Sequence, residues 1–264
     1  MPRLILYNIA YGQGCTGKRI EYLAFWRRLF PSTKKIAAIG NALRDAKPDI
    51  VGLLEVDGNR STELSHSTRM IDLMSQFSDI KSELQSAFGD VSNKYASQGI
   101  SRLARFIPIL RKQSNGILSH YTIVDHHHYY LTCGMKRLVS KYVVLIGKKK
   151  CTLFLVHLAL GQKIRTKQLR ELSILTRVVR GPMIVMGDFN AAPAELGPLL
   201  ANSKKLKDVA IATQSKSSFT FPAYRPSKKI DYILASPQIK CTLLQTFPWL
   251  LSDHLPLCLD FDIE

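Results

Sequence analysis

Short apolar runs closed by polar residues set the rhythm of the chain. Residues 4–6 form the first run, ending at Tyr7-Asn8, and a turn rich in glycine follows (Gly12, Gly14, Gly17). Residues 34–46 then repeat apolar positions at Ile36, Ile39, Leu43 and Ala46, the stripe of an amphipathic helix. Pro48 stops it, and 49–55 reads as a buried strand, Ile50-Val51-Gly52-Leu53-Leu54. Residues 57–110 carry one helical signal at 68–77 and otherwise read as loop and short helix. Strand signals return at 116–119, 137–146 and 151–157, with Lys148-Lys149-Lys150 as a charged hairpin turn between the last two. A helix over 163–179 is marked by Ile164, Leu169, Leu172, Leu175, Val178 and Val179, and Gly181-Pro182 ends it. Strands at 183–186, 218–221, 230–235 and 256–261 complete the chain. Strands outnumber helices, and helices come singly between strand groups, which predicts two packed sheets with helices outside them. Without repeat, linker or low-complexity segment, residues 1–264 read as one domain.

Composition changes this picture in one respect. With 264 residues, 46% of them apolar, the chain can bury a full core. Its charge is lopsided: 37 Lys and Arg against 20 Asp and Glu give +17 at pH 7. Between residues 101 and 150 Asp125 is the one acid among ten basic residues. Such a field attracts polyanions or an anionic membrane surface, although lysines spread over a solvated surface give the same count. The five cysteines are widely spaced and form no CxxC pair, and Cys151 and Cys258 sit inside apolar runs as small hydrophobes do. A reduced, cytoplasmic setting is expected. The N-terminal residues lack the pattern of a secretory signal, and no stretch approaches the ~20 apolar residues of a membrane span.

Chemically able side chains recur where the apolar runs stop. Asn8 follows 4–7, Glu55 follows 50–54, His157 follows 153–156, and Asp188 with Asn190 follows 183–187. Asp231 opens 230–235, and Asp253-His254 precedes 255–259. Any one of these is more often a turn residue than a catalytic one. Six strand ends that converge would build a site of hard oxygen donors beside two histidines.

Seven segments carry a resemblance: LYNIAYG (6–12), PDIVGLLEVD (48–57), NGILS (115–119), FLVHLAL (154–160), VMGDFNAAP (185–193), KIDYILAS (229–236) and LSDHLPL (251–257). In this order they resemble the endonuclease/exonuclease/phosphatase superfamily, which includes deoxyribonuclease I, exonuclease III, neutral sphingomyelinases and inositol polyphosphate phosphatases. The resemblance implies a four-layer α/β/β/α sandwich of two mainly antiparallel sheets with outer helices. It implies Mg²⁺, with Mn²⁺ as a substitute, held by Glu55 with help from Asn8 and Asp253. By the same resemblance Asp188 orients or deprotonates the attacking water, and Asn190 donates to a phosphate oxygen, which Asn8 also faces. His254 stands beside the scissile phosphate with Asp231 as its carboxylate partner, and His157 serves the leaving oxygen. Arg137, before the strand at 137–146, is a weaker candidate for a phosphate contact, and Lys228 and Lys229 lie close to Asp231 in sequence.

Two departures separate the chain from the abasic-site endonucleases. Ala10 stands where the exonuclease III branch has a second carboxylate, and His157 occupies the region of that branch's tyrosine. The tract His126-His127-His128 resembles a metal-binding run, but neighbours on a strand face opposite sides, so an exposed strand or loop is the expectation. The basic and apolar stretch 96–115 suits a substrate-facing loop, core packing or a membrane contact.

The first functional expectation is therefore a Mg²⁺-dependent phosphodiesterase or nuclease acting on nucleic acid, expected as a monomer whose cleavage weakens steeply as salt rises. The alternative is a phosphatase or phospholipase C-like hydrolase acting on phosphoinositide or sphingomyelin, drawn to an anionic lipid head group. A non-catalytic scaffold fits poorly with the intact set of eight polar strand-end residues. Substrate choice falls to the loops at 57–114 and 191–217, which carry no legible motif.

Overall fold

The computed structural model describes residues 1–14, 16, 18, 21, 33–58, 76–93, 113–202, 206–215 and 218–264. In chain order, β1 (Arg3–Asn8) leads through α1 (Thr33–Ala46) to β2 (Ile50–Asp57). Helix α2 (Gln76–Leu84), β3 (Phe88–Asn93) and β4 (Gln113–Ser119) follow. Next come β5 (Thr122–Tyr130), β6 (Leu138–Ile146), β7 (Lys149–His157), α3 (Gln162–Arg177) and β8 (Met183–Asp188). The chain closes with α4 (Gly197–Asn202), β9 (Lys207–Asp208), α5 (Val209–Ala212), β10 (Asp231–Ala235), β11 (Ile239–Thr246) and β12 (Leu257–Ile263).

Two six-stranded sheets result, one ordered β11-β12-β1-β2-β4-β3 and the other β5-β6-β7-β8-β10-β9. Each has one parallel pair at its centre, β1 with β2 and β7 with β8, bridged by a helical crossover; the other pairings are antiparallel. Alternation of side chains along the central strands sorts the apolar residues into three layers. Leu4 and Leu6, Leu153 and Leu155, and Ile184 and Met186 point inward and fill the space between the sheets. Their neighbours face the helices: Ile5 and Tyr7 meet α1 and α2 through Ile36, Ile39, Phe77 and Ile80. On the other side Phe154, Val156 and Val185 meet α3 through Leu169 and Leu172. The four-layer α/β/β/α sandwich expected from the resemblance is the fold.

Several expectations need correction. Residues 218–221 are not a strand. Phe221 makes an isolated bridge to Lys228, because the backbone there bonds back onto Lys228 and across to Leu255. The helix expected at 68–77 enters the described residues as Gln76–Leu84; 68–75, and nearly all of the 96–115 stretch, lie outside them. Within 57–110 the structure has a strand, β3, where loop was expected. The β6–β7 hairpin turns at Gly147-Lys148, so Lys149 and Lys150 already belong to β7.

The histidine tract lies on edge strand β5 and divides between its faces. His126 and His128 turn to Phe88, Asp90 and Tyr142, while His127 lies tilted against Tyr129, ring centroids 4.4 Å apart. His128 lies 3.0 Å from Ser140 Oγ through Nδ1 and 3.1 Å from Asp90 Oδ2 through Nε2, and the Tyr142 hydroxyl donates to the same carboxylate at 2.7 Å. The order Ser–His–Asp mimics a hydrolase triad, but Ser140 is fully buried and cannot meet a substrate. The network instead ties β3 of one sheet to β5 and β6 of the other.

Candidate active site

The parallel strands β1, β2, β7 and β8 all end on one rim of the sandwich, and β10 and the segment before β12 begin there. A cleft of about 1080 Å³ opens at this rim, lined by Asn8, Glu55, Asp188, Asn190, Asp253 and His254 among others. Four of the six polar strand ends line the cleft directly, and the other two stand behind it, His157 against Asp188 and Asp231 against His254.

Local backbone explains how each side chain is aimed. The β2–β4 register slips between Leu53 and Val56, a bulge that turns Glu55 out of the ladder at φ 52°. Its amide is held at 3.3 Å by Asn115 Oδ1, whose own Nδ2 is buried without a partner among the described residues. Asn190 also takes a left-handed conformation, φ 50°. Non-glycine residues in this region carry about 1–3 kcal/mol of strain, tolerated where the surroundings fix them. Gly187, just before Asp188, admits a close strand approach: a Cβ there would fall 1.9 Å from the Val156 carbonyl oxygen.

Two polar groups form the cluster. In the first, Asp231 Oδ2 faces His254 Nδ1 at 2.7 Å and accepts from the Thr220 hydroxyl, while Oδ1 is buried without a partner among the described residues. Burial alone would lower the His254 pKa, but Asp231 by charge and hydrogen bond, then Asp188 and Asp253, lift it to about 10. Phe221 lies against the imidazole, ring centroids 5.0 Å apart. In the second, Asp188 accepts from Asn8 Nδ2 at 3.3 Å and from the Asn190 amide at 2.9 Å, with His157 Nε2 3.3 Å away. Burial pushes the Asp188 carboxyl up, but the hydrogen bond to His157 and nearby positive charge win and hold it below the usual range. Asn190 Nδ2 donates to the Leu158 carbonyl at 3.0 Å, which commits one of its two amide protons.

Ser252 fastens the two groups together: its buried hydroxyl donates to the Asn8 carbonyl at 2.7 Å, pinning the Asp253-His254 turn against β1. Asp253 lines the same cleft as Glu55, and its pKa is raised by burial and by the Glu55 charge, against the pull of His254. Glu55, Asp253 and Asn8 bring carboxylate and amide oxygens to one cleft, a hard-oxygen donor set of the kind that fits a divalent cation. A second grouping, Asp188, Asp231 and His254, has donor atoms within 4.8 Å of one another, but its Asp231–His254 contact is already an internal hydrogen bond.

Arg137 is not part of the cleft lining. The residue before it is: Lys136 contacts His157 Nε2 and lies 3.6 Å from Glu55 Oε1. This phase is set from α3. The fully buried Gln168 donates from Nε2 to the carbonyls of Cys133 and Lys136 at 2.9 and 2.7 Å and accepts from the Ala159 amide at 2.9 Å. Buried Arg165 likewise joins the Ala159 and Leu160 carbonyls to Glu195. His157 has no exposed side-chain surface and lies behind Lys136. Lys228 and Lys229 both line the cleft; Lys229 is engaged by Asp208 at 2.6 Å, and Lys228 is exposed. The sequence did not mark Lys136, Asn115, Thr220 and Ser252 as site residues, although Asn115 and Ser252 lie within the motif segments, Lys136 directly precedes Arg137, and Thr220 lies in the stretch expected as a strand.

Comparison with known proteins agrees with this architecture. The family model described as Endonuclease/Exonuclease/phosphatase family matches residues 6–254. Among solved structures, a mannosyl-6-phosphatase of Bacteroides thetaiotaomicron superposes with a TM-score of 0.73 at 15% identity, covering 100% of both chains. A functionally unknown conserved protein of Enterococcus faecalis gives 0.72 at 16% identity over 99% of this chain and 100% of that one. TDP2 of D. rerio, complexed with single strand DNA product, gives 0.70 at 14% identity over 99% and 98%. No curated protein matches the chain in sequence. The chain belongs to the endonuclease/exonuclease/phosphatase family, and it is a metal-dependent hydrolase acting on ester bonds. Among the described residues no helix is long and apolar enough to cross a membrane.

Proposed function

We propose that the protein is a Mg²⁺-dependent phosphodiesterase of nucleic acid. The observation that carries the reading is the buried Asp231–His254 pair opening on the same cleft as the Glu55 and Asp253 carboxylates. Glu55, with Asn8 and Asp253, would hold Mg²⁺ or Mn²⁺, which when bound neutralises phosphate charge as a Lewis acid. Asp188, low in pKa and fixed by Asn8 and the Asn190 amide, orients the attacking water. Water oxygen bonds to phosphorus as its proton passes to Asp188, the ester P–O bond breaks, and the leaving oxygen takes a proton. His254 keeps its proton at neutral pH beside Asp231, so it suits donation to the phosphate or leaving oxygen rather than the base role. The remaining Asn190 amide proton and Lys136, placed over His157, face the phosphate. Positioning and charge neutralisation of this kind supply most of what phosphoryl transfer requires.

Nucleic acid is favoured by the +17 charge, by Lys136 and Lys228 on the cleft, and by a fold neighbour whose structure holds single strand DNA product. The head-group reading, a phosphatase or phospholipase acting on phosphoinositide or sphingomyelin, draws on the exposed Leu160 and Phe219 at the same cleft. A panel of plasmid, single-stranded oligonucleotide, 5′-tyrosyl oligonucleotide, sphingomyelin and phosphoinositides, each with and without Mg²⁺, separates them. Turnover of a nucleic-acid member only with metal is expected. Turnover of lipid head groups alone would replace the substrate assignment.

A further inference from the structure

The positive charge of the chain has one ordered expression next to the cleft. Helix α3 begins directly after Leu160, a cleft residue, with Gly161 as its N-cap. Its buried side is already explained by Leu169, Leu172, Arg165 and Gln168. Its outer side presents Lys163, Lys167, Arg170, Ile174 and Arg177, all exposed. The intervals of four, three, four and three residues put these five in a single file along one face. At 1.5 Å per residue the file runs about 21 Å from the cleft end of the helix.

None of its four cations makes an ion pair among the described residues. The helix has one acid, Glu171, and that carboxylate is turned aside to accept from the Thr132 amide and hydroxyl at 2.8 and 2.6 Å. The four cations of the stripe are therefore without an ion-pair partner among the described residues. A linear row of unpaired cations is complementary to a linear polyanion, whose phosphates each release counterions when neutralised.

We infer that the outer face of α3 is a track for the backbone of a nucleic-acid substrate, holding the part of the strand that extends beyond the cleft on the Leu160 side. The inference rests on the proposed nucleic-acid reading and adds a binding surface to it. The track carries no base-reading group beyond Ile174, so it strengthens binding without choosing sequence. Substrates shorter than the cleft would gain nothing from it.

The test is the variant Lys163→Gln/Lys167→Gln/Arg170→Gln/Arg177→Gln, none of whose positions lines the cleft. Binding of a long fluorescent single-stranded oligonucleotide is measured by anisotropy in chelator across a salt series. Hydrolysis of a dinucleotide and of the long oligonucleotide is measured with Mg²⁺. Weaker oligonucleotide binding is expected, with a log–log salt slope shallower by about 3 for four lost contacts to a single strand. Dinucleotide hydrolysis stays within about twofold of wild type, as expected for surface changes away from the reacting atoms. An unchanged slope and affinity overturns the inference and leaves a solvated face. Lost flotation on phosphatidylglycerol vesicles with unchanged oligonucleotide binding also overturns it, in favour of a membrane surface. A wild-type protein that binds the oligonucleotide through this face but cuts no nucleic acid upholds the track and sinks the substrate reading instead.

Discussion

Replacing Gly187 by alanine is the most revealing single change in this fold. Gly187 sits in β8 between Val156 of β7 and Tyr232 of β10, so its strand is bonded on both sides and cannot swing away. The added Cβ would meet a backbone carbonyl oxygen at 1.9 Å and the Val156 carbonyl carbon at 2.8 Å, neither of which is the flexible end of a side chain. Its φ of 155° adds a conformation that L residues rarely adopt. The backbone cost is about 1 kcal/mol and the forced shift adds about 1–3, so a loss near 3 kcal/mol is expected. At roughly 2–4 °C per kcal/mol for a chain of this size, Tm falls by about 6–12 °C. Gly147→Ala is the control. Gly147 has φ 61° but nothing within 4 Å of its Cβ, so it isolates the backbone part and should cost about 1 kcal/mol. Because His157 and Asp188 directly follow the clashing pair, Gly187→Ala should also lower activity of the folded protein about 100-fold through displacement near 1 Å. Thermal melts and phosphodiester hydrolysis of both variants measure this. Equal Tm for the two variants together with full activity of Gly187→Ala would refute the tight-approach argument.

Other expectations follow from the same contacts. Asp231→Asn and His254→Ala should each reduce phosphodiester turnover about 100- to 10,000-fold, and the double variant should be little worse than the worse single, since the pair acts as a unit; additive losses would mean the two act separately. Asp90 is held below the ordinary carboxylate range, its burial outweighed by hydrogen bonds from His128 and Tyr142. Its contribution is therefore complete above about pH 4, the unfolded value, and is lost as pH falls through the lower folded one. Acid urea titrations should show wild type losing more stability below that pH than Asp90→Asn, and parallel curves would contradict the assignment. Gln168→Leu leaves two carbonyls and one amide without their buried partner and should cost about 3 kcal/mol in urea unfolding. It should also release Lys136, so a double variant with Lys136→Ala should show less than additive loss of activity.

The central strands and the site residues at their ends were legible because parallel strands buried on both faces read as continuous apolar runs that stop abruptly at the cleft. Leu4 to Asn8 and Met183 to Asp188 have this form. The edge strands lack it. On β11 a register shift between Cys241 and Leu243 breaks the alternation and leaves Leu243 exposed, and β3 reads as FGDVSN, without an apolar run. The aim of Glu55 depends on a bulge that no local pattern announces. The choice of Lys136 over Arg137 is fixed by Gln168, a residue distant in sequence that reads as one more polar position on a helix. Thr220 was hidden for a similar reason, since its bond to Asp231 replaces the strand that its apolar neighbours predict.

Glu55 is the residue on which metal-dependent hydrolysis should depend most directly. Wild type and Glu55→Gln, stripped by chelator, should be titrated with Mg²⁺ while hydrolysis of one phosphodiester is followed, with Mn²⁺ binding measured in parallel by electron paramagnetic resonance. Stripped wild type should show no turnover and should recover on adding Mg²⁺, whereas Glu55→Gln should bind Mn²⁺ more weakly and recover little. Turnover by the stripped wild type, or full recovery of Glu55→Gln at the same Mg²⁺ concentration, would contradict this dependence.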